Sequence, residues 1–271
     1  MKHRHTLMLL AVALPISVLL RAIQTYFTID GSTGFIKQQY SAISVIITVI
    51  ICAAAASVGL LAATLEGEKQ NSVKPCPAVA IASALAGGMF IYQAVAGISA
   101  FGSGAWYDVL LLFLTLASAV VFVAYGLKNI YDYKMPSLML VIPVVYYVVK
   151  LISVFVSTSA LALVTENIFL IFTNSILLWF MFEFASFENE IGDITKKPKR
   201  LFAAGLAATM LCAVTALPKV ILSVLDKAQL SGGDISAALL NVAIGIFILA
   251  YRICNFGDNP ENKKSIGKHS A

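Results

Sequence analysis

Eight stretches of the chain stay apolar for about the 20 residues that a membrane-spanning helix needs, and they leave little room for any other kind of fold. They run roughly over 7–29, 41–65, 77–100, 106–127, 136–157, 163–185, 201–225 and 234–254. Soluble domains are about 45–50% apolar and about 25% charged. Here 59% of the residues are hydrophobic and 12% charged, with a mean hydropathy of +0.88. The sequence therefore predicts an all-α, polytopic integral membrane protein with eight transmembrane helices and no separate soluble domain. Its start, Met1-Lys2-His3-Arg4-His5 followed by an apolar run, resembles a signal peptide. Arg21, Gln24 and Thr25 follow at once without a small-x-small site, so an uncleaved first helix is expected.

An even number of spans puts both ends of the chain on one side, and the basic residues say which. Lys2, Arg4, Lys69, Lys74, Lys128, Lys134, Lys196, Lys197, Lys199, Arg200, Arg252, Lys263, Lys264 and Lys268 all fall on the side of the termini, against only Lys37 and Lys227 opposite. Positive loops stay in the cytoplasm. Both termini are thus expected to be cytoplasmic, in a plasma or inner membrane. The formal charge of +5 is then a topological signal, and no nucleic-acid partner is expected.

One stretch is used twice. Residues 108–132 slide onto 234–258 without a gap, a shift of 126 positions (234 − 108). The shift matches Asp108 with Asp234, Leu114 with Leu240, Ala117 with Ala243, Ala124-Tyr125 with Ala250-Tyr251, Asn129 with Asn255 and Asp132 with Asp258. Tyr, Asn and Asp at i, i+4 and i+7 share one helix face in each copy. Weaker matches extend the pattern: Ala63 to Glu68 with Ala185 to Glu190, Ala82 to Met89 with Ala203 to Met210, and Arg21 with Lys150. We read a duplication of two parallel four-helix repeats, residues 1–130 and 131–256, with a polar cytoplasmic tail at 257–271. Two such halves would be related by an axis along the membrane normal.

Charged groups inside spans are costly, about 2.5–3.5 kcal/mol each at the centre on insertion scales, so they mark candidate sites. Arg21 and Lys150, at matched depths in the outer half, could hold an anionic group. Lys219 follows Pro218 near the outer end of the seventh stretch. For Arg21 and Lys219 we expect snorkelling to the headgroups, and for Lys150 snorkelling stands level with the interior reading. Glu183 lies within Trp179-Phe180-Met181-Phe182, about one turn from the inner boundary, as a proton-coupling or charge-balancing group. Glu66 and Glu188 sit at that boundary with Tyr125, Asn129, Asp132, Tyr251, Asn255 and Asp258. The tyrosines suit an aromatic belt, and the trio also suits a symmetric inner gate. Asp108 and Asp234 suit helix capping.

The small-residue runs in the second, third and seventh stretches predict central packing for those helices. The sixth, rich in Phe and Trp, is expected to face lipid. The four cysteines suggest neither a disulfide framework nor a metal site, the histidines are terminal, and no phosphate-binding glycine loop occurs. No cofactor or metal is expected. The leading expectation is transport or binding of a small solute, anionic in one version, or of a lipid between the halves. A non-catalytic sensor or partner subunit of a larger membrane complex, and a lipid-modifying enzyme using the inner carboxylates, are the alternatives. The partners expected are the bilayer, a solute or lipid, and a partner membrane subunit.

Overall fold

In the computed structural model, residues 2–28, 37–64, 76–99, 106–131, 135–157, 165–191, 197–224 and 235–256 are described. The described chain is helical: α1 (Lys2–Thr28), α2 (Ser41–Thr64), α3 (Pro77–Ser99), α4 (Trp106–Tyr131), α5 (Ile142–Ser157), α6 (Thr165–Glu188), α7 (Lys197–Val224) and α8 (Ile235–Phe256). Eight helical stretches are long and apolar enough to cross a membrane, that of α5 including the turn before it. A 3-10 turn over Ser137–Val141 leads into α5. The switch to α geometry falls just before Pro143, where a missing N–H costs nothing because the first turn has no partner for it.

Six helices close a ring. In order around it, α3 packs on α4, α4 on α5, α5 on α6, α6 on α7, α7 on α8, and α8 back on α3. Helices α1 and α2 pair with each other and dock on α7. Helix α7 therefore has neighbours on both sides, and 89% of its most apolar window is buried. Its Ala203, Ala204, Ala207, Ala208 and Ala216 let those neighbours approach closely. The ring interior is filled by aromatic rings from the other five helices. Phe90 of α3 meets Phe122 of α4 at 5.4 Å and Tyr146 of α5 at 5.3 Å. Phe247 of α8 meets Phe122 at 5.2 Å and Phe184 of α6 at 5.6 Å.

Two sequence expectations about packing are corrected. Helix α2 is peripheral: only 28% of its window is buried. Its small residues form one stripe that seats α2 on α7, where an added Cβ at Gly59 would stand 3.0 Å from the Ala203 carbonyl oxygen. A small-residue stripe fixes one close contact and does not by itself place a helix at the centre. Helix α6 turns only some of its aromatics to lipid. Phe172, Trp179 and Phe182 are exposed, while Phe169, Phe180 and Phe184 point inward. Exchanging the two halves would match α2–α7 with α6–α3 and α6–α7 with α2–α3. Neither α3–α6 nor α2–α3 is among the well-packed pairs of the described residues.

The α3–α4 seam depends on two glycines. A Cβ at Gly126 would lie 2.8 Å from Ser83 Oγ and 3.1 Å from the Ala80 carbonyl oxygen, and one at Gly87 would lie 2.8 Å from Val123 Cγ2. Gly126→Val should force the helices apart and lower stability by about 1–3 kcal/mol. Thermal unfolding in detergent tests this, and an unchanged midpoint would refute the close approach.

Candidate functional site

The end of the ring where α4, α6 and α8 finish carries a buried carboxylate held by both matched tyrosines. Tyr125 of α4 donates its hydroxyl to Glu188 Oε1 at 2.9 Å, and Tyr251 of α8 donates to the same oxygen at 2.8 Å. Lys128, one turn beyond Tyr125, donates to Oε2 at 2.7 Å. The Glu188 side chain is 2% exposed and that of Lys128 is 27% exposed. Glu188 stands 63 residues from each tyrosine, midway between them along the chain. Phe184, one turn before Glu188, lies edge-on to both tyrosines at 5.2 Å.

Local chemistry explains why α6 can present Glu188 there. The helix ends in a Schellman motif: Ile191 N–H donates to the Ser186 carbonyl at 3.1 Å, and Glu190 N–H to that of Phe187 at 3.2 Å. Glu190 takes the left-handed position at φ 55°, normally given to glycine. Asn189 donates its amide to the Ser137 carbonyl at 3.1 Å, tying the helix end to the turn before α5. A carboxylate in a helix's last turn opposes the helix dipole at a cost of about 0.3–1 kcal/mol. The Lys128 ammonium and two phenols offset it. On α4, Asn129 is buried and donates its amide to the Tyr125 carbonyl at 2.9 Å.

Both tyrosines are 2% exposed, which overturns the aromatic-belt reading. Their hydroxyls look inward to Glu188 because the ring offers a charged acceptor that a headgroup layer would only compete for. Asn255 is buried on α8. Glu66, Asp132 and Asp258 lie outside the described residues.

Arg21, Lys219, Lys150 and Glu183 sit on four different helices, α1, α7, α5 and α6. Arg21 does not snorkel: it is 2% exposed, stacks over the Phe169 ring at 4.2 Å and donates to Gln24 Oε1 at 2.7 Å. Gln24 in turn donates to the Ser44 carbonyl at 2.7 Å and to Thr48 Oγ1 at 2.9 Å on α2. These contacts hold the guanidinium inside the protein. Lys219 is likewise buried within α7. Lys150 is half-buried on α5, which is not among the helices that pack on α1. Glu183 is buried and accepts a long 3.4 Å hydrogen bond from the indole of Trp179, one turn earlier.

Three features escaped the sequence reading. Lys128 was counted only as a loop charge, although its position at i+3 from Tyr125 could have paired it with the same partner. Arg252, also counted as a loop residue, is 5% exposed, donates to Thr6 Oγ1 at 2.6 Å and lies over the Phe202 ring at 5.2 Å. The expectation of no disulfide is overturned as well: Cys76, just before α3, is bonded to Cys254 in the last turn of α8, with the Cα atoms 6.2 Å apart. Spacing of 178 residues gives no local signal for that pairing.

Several hydroxyls are buried among the apolar side chains. Ser118 Oγ, Tyr147 Oη and Thr173 Oγ1 are buried without hydrogen-bond partners. Thr115, Thr209 and Thr215 instead bond back to their own helices, the usual resort of a hydroxyl in an apolar span. Helical spacing sets Ser118 on the stripe of Phe122, and Thr173 on that of Phe180 and Phe184.

No protein-family model, no curated protein and no solved structure matches this chain. Nor do the described residues hold three or more His, Cys, Asp or Glu side chains grouped so as to bind a metal ion.

Proposed function

We propose that this membrane protein binds or moves a small solute or lipid through the six-helix ring, and that Glu188 with Tyr125, Tyr251 and Lys128 is its inner gate. The observation that carries the reading is the convergence of both repeat tyrosines on one buried carboxylate. A membrane-buried acid held by groups from separate helices is the usual mark of a pathway. The duplication into two halves with cytoplasmic termini, as in transporters built from parallel repeats, is part of the same reading. Loss of the charge on Glu188, by protonation or substitution, would remove the ion pair and weaken two charge-assisted hydrogen bonds, freeing α4 and α8 from α6 at once. The unpartnered hydroxyls of Ser118, Tyr147 and Thr173 are then the groups a solute meets on the outward side of this gate. An inner-face enzyme is disfavoured, because both Glu188 oxygens are already engaged.

The test uses Cys212, buried in α7, as a reporter. With Cys52, Cys76 and Cys254 replaced by serine, a membrane-impermeant thiol reagent is added from the cytoplasmic face. Glu188→Gln should raise the labelling rate at least about tenfold, the factor that a gate weakened by about 1.4 kcal/mol gives. An unchanged rate with a normally folded variant would reduce the clasp to a structural tie.

A further inference from the structure

The Cys76–Cys254 bond joins the start of α3 to the last turn of α8. Cys254 is three residues beyond Tyr251, so the bond sits at the same end of the ring as the clasp. Both cysteines are only partly buried. They also lie on the side that the basic loops assign to the cytosol, where Lys128, Lys199 and Arg200 stand. Cytosolic thiols are kept reduced, and the disulfides that do form there are usually transient and redox-sensing. The other two cysteines, Cys52 and Cys212, are free, one facing into the α1–α2–α7 cluster and one in the core, so the inner pair alone joins two helices at the membrane surface.

We propose that Cys76 and Cys254 are a reversible oxidation site that exchanges with small cytosolic thiols of the glutathione class. In the reducing direction, the thiolate of one small thiol attacks a sulfur of the pair, forming a mixed disulfide and releasing the other cysteine as a thiolate that takes up a proton. A second small-thiol thiolate attacks the outer sulfur of the mixed disulfide and releases the remaining cysteine. The net change reduces the protein disulfide to two thiols and oxidises two small thiols to one small disulfide; oxidation runs the same steps backwards. Oxidised, the pair ties α3 to α8 at the inner mouth. Reduced, it leaves α8 held there by Tyr251 and the ring packing. The consequence for opening rests on the gate reading, whereas the redox site itself does not.

The experiment uses the full chain in liposomes equilibrated with reduced and oxidised glutathione at varied ratios. Free thiols are blocked, the disulfide is then reduced, and released thiols are counted with a maleimide mass tag. The expected result is a two-tag species that appears and disappears as a unit across ratios spanning the cytosolic range. In Cys254→Ser, Cys76 should instead carry a single glutathione adduct, seen as a mass increase removed by reductant. A pair that stays oxidised in excess reduced glutathione, or that stays reduced in excess oxidised glutathione, overturns the proposal. Repeating the Cys212 labelling with Cys76 and Cys254 retained separates the two ideas. If the pair titrates but the Glu188→Gln effect is the same in both redox states, the redox site stands and its coupling to the gate falls. If the pair does not titrate while Glu188→Gln still speeds labelling, the gate stands and the redox site falls.

Discussion

Phe247→Ala is expected to lower the stability of the protein by about 3–5 kcal/mol, the cost of emptying a fully packed aromatic position. Phe247 is 0% exposed and touches Phe122, Tyr125, Phe184 and Tyr251. No neighbour can collapse into the space without breaking another ring pair, which argues for the upper part of that range. At about 2–4 °C per kcal/mol for a chain of this size, the unfolding midpoint in detergent should fall by roughly 6–20 °C. Transfer from water adds little within a bilayer, so most of the loss is packing. A fall worth less than about 1 kcal/mol would mean that the rings do not pack as a unit. Phe182→Ala, on the lipid face of α6, is the control and should change little.

The second large effect is at Glu188, and its sign structure identifies the clasp. Glu188→Ala should cost about 3–5 kcal/mol, because it strands an ammonium and two phenols at the end of the ring. The lower end is expected, since Lys128 keeps 27% of its side chain in contact with the surroundings. Tyr125→Phe and Tyr251→Phe each remove one charge-assisted bond and should cost about 1.5–3 kcal/mol. Once Glu188 is alanine, the same Tyr→Phe changes should cost nothing or restore stability, because a buried hydroxyl without an acceptor is itself a burden. Unfolding of the four members of each cycle measures this coupling. Simple additivity would show that the tyrosines do not act through Glu188.

How much of this could be read from the chain follows from what each feature depends on. The spans were legible because apolar length is a local property, and α2 and α3 begin and end close to where the sequence put them. Boundaries moved where the polar ends had their own helical reasons. The seventh helix begins at Lys197, earlier than its apolar run, because Pro198 fits a first turn. The sixth extends to Glu188 because a Schellman motif closes it. Tyr125 and Tyr251 stand out in the sequence as a matched pair, yet a tyrosine at a membrane boundary fits a lipid belt and a buried cluster equally well. Which one holds depends on what the neighbouring helix offers, and Glu188 is 63 residues away in either direction. The burial of Arg21 is hidden from the sequence for the same reason: the groups it meets, Phe169 and the Gln24–Ser44 link, sit partly on other helices. Partner choice is a tertiary fact, and a single chain read in order shows only one side of each pair.

The burial of α7 between the ring and the α1–α2 pair bears on how the protein is made. Helices enter the membrane in the order of synthesis, and only afterwards do they associate. The first pair to be inserted thus has its docking surface on the seventh helix, with four other spans synthesised in between. Until α7 arrives, the small-residue stripe of α2 has no helix to seat on, and the ring lacks the member that joins α6 to α8. Assembly is therefore a late, concerted event, and a ribosome that stops after α6 leaves six inserted helices with no finished protein among them.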